Sequence, residues 1–136
     1  RVQSEEAKLV KGTLTSSKGD VYTGELLSDK PHGKGVMKYA VISRTYVGDW
    51  FQGKRHGLGK LKTLNGSAYE GEWRDDKRCG RGCFSSGDGS YYKGHFKNNL
   101  YEGSGKCRYT DGSSYKGQWH RGLVQGYGEF VWPDGS

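Results

Sequence analysis

The sequence predicts an all-β chain: a single elongated, twisted and curled antiparallel sheet built from consecutive β-hairpins. Three observations predict it. A frame of about 23 residues recurs from Tyr22, Tyr46, Tyr69, Tyr92 and Tyr115, with steps of 24, 23, 23 and 23 residues. Of the 24 glycines, all except Gly87 keep a few fixed phases of that frame. Tyr, Gly and an aromatic residue alternate, as in Tyr46-x-Gly48-x-Trp50, and period two is the signature of one strand face. Self-similarity at a fixed period decides architecture before any single residue does.

The elements follow in order. Residues 1–8 are a polar leader, and residues 9–21 read as the second half of an earlier unit, carrying Gly12, Leu14 and Gly19 in phase. The unit 22–45 opens with Tyr22, Gly24 and Leu26 and continues through Gly33 and Gly35 to Met37 and Tyr39. Val41-Ile42-Ser43-Arg44 stands where later units have a turn dipeptide, which accounts for its extra residue. The unit 46–68 repeats the pattern with Trp50, Gly57, Gly59 and Leu61, and ends in Asn65-Gly66. In 69–91 the same phases hold Trp73, Gly80, Gly82, Phe84 and Asp88-Gly89. In 92–114 they hold Phe96, Gly103, Gly105, Cys107 and Asp111-Gly112, and in 115–136 Trp119, Gly126, Gly128, Phe130 and Asp134-Gly135. About five and a half repeats imply ten to twelve short strands. Asn-Gly and Asp-Gly tolerate positive φ, so a tight turn is expected between units. The turn inside each unit, such as Gln52 to Gly57, is expected to be longer.

Composition narrows the rest. Leu, Ile, Val and Phe number only 22 of 136 residues, too few for a thick two-layer core, while 14 Tyr and Trp stand in register. An elongated array, in which each unit touches only its neighbours, needs no more. No apolar run is long enough to cross a bilayer as a helix, and no signal peptide stands at Arg1. The start at Arg1 and the stop at Ser136 give the expectation of a fragment of a longer protein. Cys79, Cys83 and Cys107 are odd in number and lack C-x-x-C spacing. That argues against a disulfide framework and for a reducing, intracellular compartment.

Segments such as Tyr69-Glu-Gly-Glu-Trp73, and Tyr46-Val-Gly-Asp-Trp50 followed by Gly53-Lys-Arg-His-Gly57-Leu-Gly59, resemble MORN repeats across roughly residues 9–136. His95 and Gln118 depart from the usual acidic residue, Leu26 from the aromatic, and Asp29, Asp76 and Asn99 from a glycine. These departures are expected to weaken individual hairpins. The resemblance implies a scaffold whose groove grips a partner segment and a link to acidic phospholipids and the cell cortex; attachment of such arrays to lipid kinases, lysine methyltransferases or exchange factors gives a further alternative, the regulatory region of a larger enzyme. A cytoplasmic place, cytoskeletal or at the inner face of a membrane, follows from it.

The candidate partner groove is the aromatic row Tyr22, Tyr46, Trp50, Tyr69, Trp73, Tyr92, Phe96, Tyr115 and Trp119. Its first role is the core. A one-layer sheet has no second layer to cover it, so partly open rings are expected to anchor a helix or an extended peptide. The rival reading is an anionic membrane surface met by Lys34, Lys38, Arg44, Lys54, Arg55, Lys60 and Lys62, weighed against an ordinary solvated face. Residues 1–68 carry a net charge of +6 and residues 69–136 only +1. Nucleic acid is disfavoured, because alternation puts lysines and aromatics on opposite faces and a single-strand channel needs both together. His32, His56 and Cys79 share one phase, but equivalent positions lie two strands, about 9–10 Å, apart. That spacing excludes one zinc shell within a chain. No nucleophile elbow, metalloprotease motif or phosphate loop is present, so the expectation is a non-enzyme without metal or cofactor. Unpaired edge strands also suggest a homodimer.

Overall fold

The computed structural model describes residues 8–136; most of the polar leader, residues 1–7, lies outside the described residues. Eleven strands follow one another: β1 (Val10–Thr15), β2 (Val21–Leu27), β3 (Lys30–Tyr39), β4 (Arg44–Phe51), β5 (Lys54–Thr63), β6 (Ala68–Arg74), β7 (Lys77–Ser85), β8 (Tyr91–Lys97), β9 (Leu100–Arg108), β10 (Ser114–His120) and β11 (Leu123–Val131). Each pairs antiparallel with the next in one open sheet whose spatial order is the sequence order. Among the described residues no helix is long and apolar enough to cross a membrane.

The register draws one continuous line of glycines across the sheet. Gly12, Gly24, Gly35, Gly48, Gly59, Gly71, Gly82, Gly94, Gly105, Gly117 and Gly128 stand opposite one another from β1 to β11. The physical reason is the tyrosine of each unit. Its ring lies flat over the glycine thirteen residues on, and a Cβ on Gly59 would sit 2.0 Å from the Tyr46 hydroxyl. The hydroxyl then donates to the carbonyl three residues after the tyrosine, Glu25, Asp49, Glu72, His95 or Gln118, at 2.6–3.2 Å.

Between these tyrosines the second aromatic of each unit completes a zipper. Trp50 packs edge-on between Tyr22 and Tyr46, Trp73 between Tyr46 and Tyr69, Phe96 between Tyr69 and Tyr92, and Trp119 between Tyr92 and Tyr115. Centroids are 5.0–5.4 Å apart and planes cross at 81–89°. Pairs of this geometry add about 0.5–1.5 kcal/mol each beyond burial. The indoles of Trp50, Trp73 and Trp119 donate to the carbonyls of Gly35, Gly59 and Gly105 at 3.1–3.2 Å, which ties each unit to the one before.

The two kinds of turn are the reverse of the expectation. Inside each unit the chain turns on two residues with positive φ: Ser28-Asp29, Gln52-Gly53, Asp75-Asp76, Asn98-Asn99 and Arg121-Gly122. That conformation matches the twist of a hairpin and suits Asp, Asn and Gly. The longer connections lie between units, as from Leu64 to Ser67, where the Asn65 side chain accepts the Ser67 amide at 3.0 Å. The departures at Asp76 and Asn99 also make contacts that a glycine there could not. Their side chains accept the amides of Arg55 and Arg78 in the preceding unit, both at 2.8 Å.

Candidate functional site

The sheet has two unlike faces, and the nine predicted groove residues belong to the closed one. Tyr22, Tyr46, Trp50, Tyr69, Trp73, Tyr92, Phe96, Tyr115 and Trp119 are only 0–7% exposed. The expectation of partly open rings is therefore corrected: each ring is covered laterally by rings of the adjacent units, so no second layer is needed. Burial raises the hydroxyl pKa of Tyr22, Tyr46, Tyr69 and Tyr92, that of Tyr92 to about 12.

Arginines flank this row. Arg55 lies over Trp73 with its guanidinium carbon 4.5 Å from the ring centroid, and Arg78 is 5.5 Å from that of Phe96. Burial lowers the Arg78 pKa. Both guanidiniums are engaged within the array, Arg55 by Asp76 and Arg78 by Asn99. A cavity of about 320 Å³ beside them is lined by these same side chains together with Arg44, Thr63 and Phe84.

The seven predicted lipid contacts do not form one patch. Arg44 pairs with Tyr39 and Thr63 and shares the face of Tyr46, while Arg55 stands opposite Trp50. Both lie on the aromatic face. Lys34, Lys38, Lys60 and Lys62 lie on the other, and Lys54 stands at the hairpin end. There Asp49 pairs with Lys34, and Glu70 stands 3.7 Å from Lys60. His32 and His56 sit on either side of Phe51, with centroids 5.0 and 5.5 Å from its ring.

A broad concavity lies on this polar face, over β6 to β10. It is a trough of about 710 Å³ floored by Gly82, Gly94, Gly105 and Gly117, the line whose opposite side carries the tyrosines. Arg81, Lys93, His95, Lys106, Lys116 and Gln118 stand along it, with Glu70 the one carboxylate of its lining. Glycine is needed on the ring side, where a Cβ on Gly82, Gly94, Gly105 or Gly117 would come within 2.2–2.9 Å of a tyrosine hydroxyl, while the backbone of the same residues floors the trough on the other.

Carboxylates on this face are mostly tied to backbone. Glu25, Asp49 and Glu72, which occupy one phase of the first three units, accept the amides of Lys34, Leu58 and Arg81 at 2.6–3.0 Å. The next two units have His95 and Gln118 in that place. Glu102 accepts the Arg121 amide at 3.1 Å and meets His120, and the amide chiefly lowers its carboxyl pKa. The trough was not foreseen from sequence. The signal was available in Lys93 and Lys116, one residue after the repeat tyrosine, and in the two missing carboxylates.

A family model for the MORN repeat matches residues 22–41, 46–68, 69–91, 92–114 and 115–136. Over 47 residues, 35% of this chain, the sequence is 43% identical to MORN repeat-containing protein 3 of Xenopus laevis. The match spans 20% of that relative's length.

Proposed function

The chain belongs to the MORN-repeat family, and from that premise we propose that it is a non-enzymatic scaffold that docks a segment of another protein along its polar trough. MORN repeats engage proteins or membranes. The observation that carries the proposal is the trough itself, about 710 Å³ of concave surface floored by glycine backbone. A rigid, pre-formed concavity with exposed polar walls lowers the ordering cost of binding. The aromatic zipper serves as the frame that keeps its shape, and a partner meets the walls instead of the rings.

The test is a hydrogen-exchange footprint of a co-purified partner. Protection is expected in β7 to β10, and Ser104→Trp, which places a large ring on an exposed wall, is expected to abolish it without changing the melting curve. Protection confined to the outer edges of β1 and β11, or indifference to Ser104→Trp, overturns the reading; the first pattern would instead fit edge-to-edge pairing with a second copy. A membrane reading has one observation in its favour, the exposed Lys38 and Lys62 on one face of adjacent units, neither of them in an ion pair among the described residues. Sedimentation with anionic liposomes that falls on reversing both lysines would support it, and an address at the inner face of a membrane would follow.

A further inference from the structure

Lys93, Lys106 and Lys116 form a ladder on the polar face. The register sets Lys93 directly opposite Lys106, and Lys106 directly opposite Lys116, on β8, β9 and β10. All three are exposed, and none makes an ion pair among the described residues. Like charges directly opposite one another in a sheet are destabilising. In the middle of the other strands on this face lysines meet carboxylates, Lys34 against Asp49 and Lys60 against Glu70, and the like-charged pair Arg74–Lys77 stands at the end of a hairpin. The units that carry the ladder are also the two that lack the acidic residue after the first glycine of the unit, having His95 and Gln118 instead. Glu72 and Glu102 are held on backbone amides, Glu70 is separated from Lys93 by Cys83, and Glu129 stands opposite Lys116 at the far end of the ladder.

We propose that this trough receives an acidic helix, with carboxylates at positions i, i+3 and i+7 meeting Lys93, Lys106 and Lys116. The inference rests on the docking reading above and adds the chemistry and shape of the partner. Adjacent strands are about 4.7–4.9 Å apart, so the ladder spans about 9.5 Å in two steps. A helix rises 1.5 Å per residue, so three and seven residues advance about 4.5 and 10.5 Å along one face. An extended chain returns to the same face only every 6.6–6.8 Å or so and falls out of step. Arg81 widens the positive wall at one end. Charges of one sign set within a concavity focus their field on a ligand that enters it. A bilayer, being flat, meets only the rims, and so the observations favour a peptide.

The experiment uses a fluorescent stapled helix with glutamates at i, i+3 and i+7, and a second with the same composition but glutamates spread round the helix. Anisotropy titrations against the whole chain should show the first binding at least about tenfold more tightly. His95→Glu with Gln118→Glu restores what the first three units already have, so the melting temperature should hold or rise while affinity falls by about tenfold. Reversing Lys93, Lys106 and Lys116 should abolish binding, whereas Lys38→Glu with Lys62→Glu should leave it. Equal binding of both helices, or no effect of the His95 and Gln118 changes, overturns the proposal. Binding to phosphatidylserine vesicles that depends on the same lysines, without binding to the helix, overturns it in favour of a membrane. If the acidic helix fails while a natural partner still protects β7 to β10, docking stands and the acidic chemistry falls. A partner footprint elsewhere removes both.

Discussion

Gly59→Ala tests whether a tyrosine clamped on glycine holds each unit together. A methyl group there would lie 2.0 Å from the Tyr46 hydroxyl and 2.3 Å from the ring carbon that bears it. To regain ordinary contact the ring must retreat by about 1 Å or more. It has nowhere to go, because Trp50 and Trp73 pack against it at 5.0 and 5.4 Å. Retreat forfeits the 2.8 Å hydrogen bond to the Asp49 carbonyl, worth about 1 kcal/mol net. It also disturbs two edge-to-face pairs of about 0.5–1.5 kcal/mol each. Alanine's smaller unfolded-state entropy returns about 0.4–1 kcal/mol, leaving a net loss of about 2–3 kcal/mol. Gly12 is the control: it continues the same glycine line, but its added methyl meets only the end of the Leu26 side chain, at 3.0 Å. Gly12→Ala should stay within about 1 kcal/mol of neutral. Urea unfolding followed by tryptophan fluorescence, with the slope held common, gives the comparison. Equal midpoints for the two variants would refute the clamp.

Three further outcomes are expected. Trp73→Ala should cost about 3–5 kcal/mol, since it empties a site between two tyrosines, against about 0.5 kcal/mol or less for Lys77→Ala at a hairpin end; similar melting losses would show that the zipper is not the core. Glu72→Ala removes the acceptor of the Arg81 amide and should cost about 0.5–1.5 kcal/mol, whereas His95→Ala, in the same phase without such a bond, should be near neutral by the same melting assay. Because burial raises the pKa of Tyr22, Tyr46, Tyr69 and Tyr92 above the ordinary value of 10.0, their neutral forms favour the folded state. That stability is fully present below pH 10 and is lost as pH rises through the folded values, about 12 for Tyr92. Tyrosinate absorbance and circular dichroism should therefore change together in base, and independent ionisation without unfolding would contradict the burial argument.

The sequence by itself determined the hairpin order, the strand number and the identity of the core, because all three are local and periodic. A tyrosine, a glycine and a second aromatic at alternate positions share a face in whatever strand they form. Parity also put Arg44 and Arg55 on that face, two residues before Tyr46 and Gly57, although charge alone grouped them with the lysines. The tight turn was misplaced although Asn-Gly and Asp-Gly do turn the chain, with Gly66, Gly89, Gly112 and Gly135 at positive φ, because they do so inside the longer connections between units. Ser28-Asp29 and Asn98-Asn99 adopt positive φ without glycine, under the twist of the strands they join.

Only the tertiary structure decided which surface stays open. The rings close on one another because Trp50 reaches Tyr22, 28 residues earlier, as well as Tyr46. No pattern within one unit contains that contact. The lysine ladder is likewise a product of register: Lys93, Lys106 and Lys116 are 13 and 10 residues apart in the chain and become neighbours only when β8, β9 and β10 pair. Glycine was legible in the sequence as a bend or a gap. That its two sides serve different ends, a tyrosine seat on one face and a trough floor on the other, follows from the curled sheet through which both faces are set.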